Sequence, residues 1–221
     1  MMKSAVFMMS AAISGSAFGA VLNVSGMVTQ TTLPPSLQLG AFESNEFARV
    51  MPERLRLLPE PQEVDITQPG LVSTTADRTV GSIPAGTLVG SFLIHADTIS
   101  SNTRVFEGSV TFEFDILGII ITSTRLVNTD LRFGGEGVTY SNNGFRGIDL
   151  GSTLESDWVR LSENRRTVSF RLTVDSAMDE MRILTVPSPA AATGILAGLF
   201  VGRRRQSTSN RSITSPKSNA G

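Results

Sequence analysis

Two segments of the chain alternate strictly between apolar and polar residues, which is the pattern of a β-strand with one buried face. They are VTFEFDI at 110–116 and VSFRLTVD at 168–175. The alternation predicts a set of core side chains, namely Val110, Phe112, Phe114, Ile116, Val168, Phe170, Leu172 and Val174. Both segments are therefore predicted to be strands of one β domain.

Other segments are rich in β-branched residues and bounded by glycine or turn residues, which favours further strands. TLVGSFLIHADTI at 87–99 and GIIITSTRLV at 118–127 have this character. DWVRLSENRRTVSF predicts a hairpin that turns at 162–165, and MRILTV at 181–186 predicts a last strand. Because strands and helices do not alternate, the sequence predicts an all-β fold, a single antiparallel β-sandwich-like domain over residues 31–185.

Six of the ten prolines fall between residues 31 and 70, where they interrupt any long regular element. These prolines are Pro34, Pro35, Pro52, Pro59, Pro61 and Pro69. Residues 41–58 alone have a helical pattern, one or two turns with Ser44 or Asn45 as the N-cap. We predict that this region is an irregular cover over the core.

The first residues have the order of a secretory signal peptide. Lys3 provides a positive charge, residues 5–13 are apolar, and small residues lead to Ala-Phe-Gly-Ala at 17–20. We predict that residues 1–20 are a signal peptide removed near Ala20. The chain contains no cysteine, so an exported form has no disulfide to stabilise it.

The net charge of the chain is close to zero because basic residues near the two termini offset an excess of acidic residues between them. Six of the 19 lysines and arginines lie in the terminal segments, which leaves 13 basic against 20 acidic residues between them. The six are Lys3, Arg203, Arg204, Arg205, Arg211 and Lys217. Binding to nucleic acid needs a basic surface, so a nucleic-acid partner is not expected.

The C-terminal region combines a proline pair, an apolar run and an arginine cluster. VPSP at 186–189 precedes the small and apolar residues 190–202, and Arg203, Arg204 and Arg205 follow. The run is shorter than the ~20 residues of a full membrane span. Residues 206–221 are polar and are predicted to be a disordered tail.

This arrangement, over residues 186–205, resembles the PEP-CTERM sorting signal of bacterial exosortase substrates. In the motif Pro187, Ser188 and Pro189, the serine stands in place of the glutamate, and the chain continues beyond the arginines where the family usually stops. The resemblance implies an exosortase-type processing enzyme as a partner, transient membrane association, and delivery to the cell surface or the extracellular space. The alternative is an ordinary C-terminal membrane anchor, with the arginines on the cytoplasmic side.

The middle of the chain resembles a domain that recurs in secreted proteins with this tail, over about residues 34–185. The segments that carry this resemblance are GAFESNEFARV, VDITQPG, SFLIHAD, GSVTFEFDILGIIITSTRL and DEMRILTV. No chemistry is assigned to that domain, so the resemblance implies architecture and destination only.

Candidate catalytic and metal-binding residues are few. His95 is the only histidine, and no serine motif of a hydrolase accompanies it, so we predict no enzyme activity and no cofactor. Carboxylates are hard-cation ligands, which leaves a calcium site as an alternative, although no EF-hand spacing is present. The candidate acids are Asp97, Asp130, Glu136, Asp149, Glu155 and Asp157.

The glycine-rich segment 131–151 is the candidate ligand loop. Tyr140, Asn142, Asn143 and Phe145 place aromatic faces beside amide donors, a combination that can bind a polysaccharide. The alternative is a long surface loop whose aromatic residues hold it in place.

Taken with the two resemblances, the sequence predicts an exported bacterial structural or interaction module of the cell envelope or extracellular matrix. The first alternative is a lectin-like domain, and the second is a hydrolase.

Overall fold

The computed structural model describes residues 20–99, 103–151 and 157–189. These residues form mainly β-strands, with one α-helix and a short 3₁₀ turn at Thr75–Asp77. The strands up to the helix are β1 (Val21–Gly26), β2 (Val28–Gln30), β3 (Ser36–Leu37), β4 (Ala48–Leu57), β5 (Gln62–Val64), β6 (Gly70–Val72), β7 (Gly81–Ile83), β8 (Leu88–Ala96), β9 (Arg104–Phe112) and β10 (Ile116–Ile120). The remaining elements are α1 (Ser123–Phe133), β11 (Thr139–Tyr140), β12 (Trp158–Leu161), β13 (Thr167–Val174) and β14 (Asp179–Thr185).

Most of the strands belong to two five-stranded sheets. The first sheet has the order β1-β9-β13-β12-β6, and the second has the order β10-β14-β8-β4-β2. All neighbours in them are antiparallel except β2 and β4, which are parallel. Two small pairs, β3 with β11 and β5 with β7, complete the fold. The all-β prediction is confirmed at this level.

The main apolar core takes side chains from both five-stranded sheets. Seven of the eight side chains predicted for the core are buried: Val110, Phe112, Ile116, Val168, Phe170, Leu172 and Val174. Phe114 is only half-buried, so its prediction was wrong. The reason is that the chain leaves the first sheet after Phe112 and enters the second at Ile116, so VTFEFDI is not one strand.

The second sheet is covered on both faces. Every residue of β14 is buried, and so are eight of the nine residues of β8. A second apolar cluster, which includes Leu93, Leu126 and Phe133, joins the outer face of this sheet to α1. A strand covered on both sides has no need of alternation, which accounts for the continuous apolar run in β8.

The helix α1 lies where the sequence predicted a strand. Residues 118–127 were expected to form a single strand, but β10 ends at Ile120 and α1 begins at Ser123. Leu126, Thr129 and Phe133 are its buried residues, and their spacing of three and four is helical. The carboxylate of Asp65 accepts hydrogen bonds from the backbone N–H groups of Ile121 and Thr122, which turns the chain out of the sheet.

The prediction of an irregular, partly helical cover was also wrong. Residues 48–57 of the supposed helical segment 41–58 form β4, which pairs along β8 inside the second sheet. Pro52 is accommodated because the register shifts between Pro52 and Leu55. The predicted hairpin is confirmed: β12 and β13 pair, and the N–H of Ser162 donates to the carbonyl of Thr167 at 2.9 Å.

Candidate functional site

Five charged side chains lie together between the second sheet and α1, and all of them except Asp130, which is partly exposed, are buried. The group consists of Glu53 on β4, Asp130 on α1, Arg146 after β11, and Glu180 and Arg182 on β14. We call these five side chains the buried ion network. Glu180 and Arg182 are two residues apart, so they lie on the same face of β14.

Arg182 is fully buried, and every N–H of its guanidinium has an acceptor. Its Nε and Nη2 donate to the two carboxylate oxygens of Glu53 at 2.7 and 2.9 Å. The other N–H groups reach Asp130 Oδ1 at 2.9 Å, Thr129 Oγ1 at 2.6 Å and the carbonyl of Leu126 at 3.2 Å. Burial opposes the charge, but Glu53 and Asp130 outweigh it and raise the pKa of Arg182 above its usual value.

Arg146 is the second buried cation of the network. Its Nε donates to Glu180 Oε2 at 2.6 Å, and its Nη1 donates to Asp130 Oδ2 at 2.6 Å and to the carbonyl of Ser141 at 2.8 Å. Asp130 therefore lies between both arginines. Burial alone would raise the pKa of Glu180, but the hydrogen bond from His95 and the charge of Arg146 hold it below the usual range.

His95 extends the network on β8. Its Nδ1 lies 2.9 Å from Glu180 Oε1, and its Nε2 lies 3.3 Å from the carbonyl of Phe42. Both partners are acceptors, so the two contacts are hydrogen bonds at once only when the ring carries both protons. Neither of them is a hydroxyl that the imidazole could activate. In this setting His95 connects Glu180 to the segment that contains Phe42.

Tyr140 of the candidate ligand loop contacts the buried ion network. Its hydroxyl donates to Glu53 Oε1 at 2.9 Å and accepts from the N–H of Gly135 at 2.8 Å. The guanidinium carbons of Arg146 and Arg182 lie 5.6 and 5.7 Å from its ring centroid. Burial, with the nearby charge of Glu53, raises the pKa of Tyr140 above its usual value.

The other residues of that loop lie apart from Tyr140. Phe145 is 70% exposed and Asn142 is exposed. Asn143 is half-buried, and its Oδ1 accepts the N–H of Phe145 at 3.0 Å. A surface cleft of about 380 Å³ is lined by Tyr140, Asp130, Arg54 and the turn 134–137, but not by these three residues. The four predicted ligand residues therefore do not share one surface.

Asp149 and Asp157 are neighbours, but the other described acids predicted as calcium ligands lie apart from them. Asp97 accepts the N–H of Gly40 at 2.7 Å, Asp130 is held by the two arginines, and Glu136 is exposed. Glu155 lies outside the described residues. Among the residues that the structure describes, no group of three potential ligands is arranged to hold a metal ion.

Asp157 and Asp179 form a buried acidic pair. Asp157 accepts the N–H of Thr173 at 2.6 Å and the N–H of Asp149 at 3.2 Å. Burial is the main cause that raises the pKa of Asp157 to about 6, and Asp149 adds to it. Burial and the charge of Asp157 raise the pKa of Asp179 well above its usual value. Oδ2 of Asp179 is buried and has no hydrogen-bond partner in the described part of the chain.

Both ends of the described chain meet the segment that crosses between the two sheets. The backbone N–H of Ala20 donates to Glu113 Oε2 at 3.1 Å, and the N–H of Glu113 donates to the carbonyl of Ala20 at 2.9 Å. Two residues further on, the carbonyl of Asp115 accepts the N–H of Val186 at 2.9 Å. The predicted cleavage site and the last strand therefore lie at the same end of the fold.

The predicted sorting motif begins directly after β14. Pro187 is buried, Ser188 is half-buried and Pro189 is exposed. Arg203, Arg204 and Arg205 lie outside the described residues, as does the predicted signal peptide up to residue 19. Within the described ranges, no helix is long and apolar enough to cross a membrane.

The buried ion network was not predicted from the sequence. A signal was present in DEMRILTV, where Glu180 and Arg182 occupy alternate positions of an otherwise apolar strand. The carboxylates that pair with Arg182 come from β4 and α1, two elements that the sequence did not predict. Arg146 and His95, the partners of Glu180, lie 34 and 85 residues from it, so the network was not visible along the chain. No protein-family model, curated protein or solved structure matches this chain.

Proposed function

We propose that this chain is an exported, non-catalytic structural or interaction module that its C-terminal segment delivers to the cell surface or extracellular matrix. In this proposal residues 1–20 are a signal peptide, and residues 186–205 are a sorting signal of the PEP-CTERM type. An exosortase-type enzyme is the processing partner. The chain itself is the substrate of that enzyme.

The observation that carries the proposal is the common position of the two ends. Ala20 and Val186 are hydrogen-bonded to Glu113 and Asp115 of one short crossing segment. The apolar segments 5–13 and 190–202, which flank the domain in sequence, therefore both connect to it at one end. This placement suits a domain whose two flanking segments enter the same bilayer before the signal peptide is removed.

The contacts inside the domain support the proposal of a module without catalytic activity. The buried charges pair with one another, the arginine donors are satisfied, and the contacts of His95 are to a carboxylate and a carbonyl. A network of this kind stabilises one packing of α1 on the second sheet. It does not present an activated nucleophile to a cleft.

The test is the fate of the C-terminal segment in the native host. We expect the parent chain to lose everything beyond the motif, while the variant Pro187→Ala/Pro189→Ala accumulates in the membrane with its tail intact. The prolines keep the backbone out of a helix, so that a membrane protease can engage it. Intact mass of the protein recovered from membrane and medium measures both ends of the chain at once.

A matched control is available in the same domain. Pro59 and Pro61 have the same spacing and are both exposed. The variant Pro59→Ala/Pro61→Ala is expected to be processed like the parent. Equal retention of the uncut tail in the parent and in both variants would show a plain membrane anchor instead of a sorting signal.

A further inference from the structure

Apolar side chains are exposed together beside α1. Leu131 on the helix is 94% exposed, and Leu57 at the end of β4 is 51% exposed. With Pro59, Arg56 and Arg132 they line an open cleft of about 490 Å³. We call these five residues the Leu131 patch. Val127, one helical turn before Leu131, adds a further partly exposed apolar side chain.

The Leu131 patch lies at the end of the second sheet from which the chain leaves. Leu55 of β4 and Thr185 of β14 both pair with Gly90 of β8, so the three residues are level across the sheet. Leu57 lies two residues beyond Leu55, and Pro187 lies two residues beyond Thr185 in the same direction. Since neighbouring strands are ~4.8 Å apart, Leu55 and Thr185 are about 10 Å apart across the sheet, and the chain continues from both in the same direction.

The charges around the apolar side chains are predominantly basic. Arg56 is exposed, forms no ion pair with the described residues, and donates from its Nε to the carbonyl of Arg132 at 3.1 Å. Arg132 itself is paired with Glu60. The patch therefore combines exposed leucines with one arginine whose charge is not neutralised. Arginine side chains of this kind extend towards phosphate groups while their stems cover apolar surface.

We propose that the Leu131 patch rests on an anionic lipid surface while the C-terminal segment is in the bilayer. The leucines enter the interface, and Arg56 contacts lipid phosphate groups. The domain is then held in one orientation on the membrane, with α1 towards the lipid. This inference rests on the proposed function, in which residues 190–202 enter the membrane.

The absence of cysteine from the chain makes the experiment direct. Single substitutions Leu131→Cys, Ile99→Cys and Leu196→Cys each create a unique thiol for an environment-sensitive fluorophore in the full chain. Ile99 is 60% exposed and follows β8 at the opposite end of the sheet, so it is the matched control. Leu196 lies in the proposed membrane segment and reports on the proposed function alone.

The labelled chains are reconstituted into vesicles of phosphatidylcholine with or without phosphatidylglycerol. Quenching by aqueous iodide and by nitroxide-labelled lipid is then measured. We expect the labels at 196 and 131 to be shielded from iodide and quenched from the lipid side in the anionic vesicles, and the label at 99 to stay accessible. Adding Arg56→Gln should reduce the shielding at 131 about fivefold, since a basic side chain near an anionic surface contributes an attraction of that size.

The outcomes separate the two proposals. A shielded label at 196 with equal iodide access at 131 and 99 overturns the membrane-facing patch and leaves the proposed function intact. An accessible label at 196 overturns the proposed function itself. Shielding at 131 that rises with protein concentration without vesicles identifies a second copy as the occupant and overturns the inference. Leu57→Cys provides a second probe of the patch if Leu131→Cys does not fold.

Discussion

Arg182 can carry its charge inside the fold because two other elements fix its acceptors. Glu53 comes from β4, Asp130 and Thr129 come from α1, and Arg182 itself lies on β14. Removing one member of such a group leaves the others charged and buried without compensation, which is more costly than losing an exposed pair. The stability of the fold therefore depends strongly on this side chain.

We expect Arg182→Met to lower the free energy of unfolding by ~3–5 kcal/mol, because Glu53 and Asp130 lose their buried partner. Urea unfolding measures this change. Arg166→Met is the matched control: Arg166 pairs with Asp115 at 3.0 Å, and both side chains are about half exposed. Its expected cost is below ~1 kcal/mol, as for other exposed pairs. Equal costs at the two positions would contradict the structural role assigned to the network.

The acidic pair Asp157 and Asp179 gives the domain a pH dependence of definite sign. Their pKa values are raised on folding, so the folded state binds more protons than the unfolded state. The stability that this pair contributes is then fully present below pH ~4, the unfolded pKa. It falls as the pH rises through about 6, the pKa of Asp157 in the fold, and the raised pKa of Asp179 acts in the same direction.

The variant Asp179→Asn should remove most of this loss. At pH 8 we expect it to be more stable than the parent by about 1–3 kcal/mol, while at pH 4 the two should be similar. Thermal or urea unfolding across this pH range provides the measurement. Asp77→Asn is the control, because Asp77 is exposed and hydrogen bonds from the backbone N–H groups of Ser73 and Thr74 lower its pKa instead. A pH profile of Asp179→Asn that follows the parent would show that the pair does not titrate as a unit.

At the scale of elements, α1 depends on a residue distant in sequence. Asp65 is buried, and its Oδ2 accepts the N–H groups of Ile121 and Thr122 at 2.9 and 3.0 Å and the hydroxyl of Thr122 at 3.0 Å. Its other oxygen is held by Arg125. These contacts satisfy backbone groups at the beginning of the helix that the helix itself leaves unpaired.

Asp65→Ala is expected to destabilise the domain by about 2–4 kcal/mol, because it leaves buried donors and Arg125 without their acceptor. Glu63→Gln is the control. The carboxylate of Glu63 also pairs with Arg125, but its side chain is 73% exposed, so its loss should cost less than ~1 kcal/mol. Urea unfolding of the two variants gives the comparison, and a similar small cost for both would mean that Asp65 does not position α1.

Contacts between residues distant in sequence explain which elements could be predicted from the sequence and which could not. β13 could be predicted because one face meets the core while alternate residues are less buried, so its burial alternates with period two. β4 could not, because Pro52, Arg54 and Arg56 resemble a loop. The hydrogen-bond partners that allow Glu53 to be buried are all distant in sequence, and its ion-pair partner Arg182 lies 129 residues later. α1 was missed because the residue that ends β10 and starts the helix is Asp65, 56 residues upstream of Ile121.

At the scale of the whole molecule, the closeness of the two ends is the feature with the clearest consequence. Glu113 and Asp115, which bond Ala20 and Val186, are two residues apart and so no more than ~7 Å from each other. Neither partner was identifiable in advance, because the strand predicted for 110–116 ran through the crossing segment and concealed it. The adjacency follows from the chain changing sheets there.

Joining the ends covalently should therefore stabilise the fold. In a chain trimmed to residues 20–189, a short glycine-serine linker from residue 189 back to residue 20 spans a small gap in the native state and strongly restricts the unfolded state. We expect the cyclic form to be more stable than the linear form by ~2–4 kcal/mol in urea, the typical gain from a cross-link, which is less than the ~5 kcal/mol that chain entropy alone gives for a loop of this length. The control is the same sequence with the linker cut once, which keeps its composition but frees the ends. A cyclic form less stable than this cut chain would mean that the linker strains the fold, and the two flanking segments would then not leave the domain side by side.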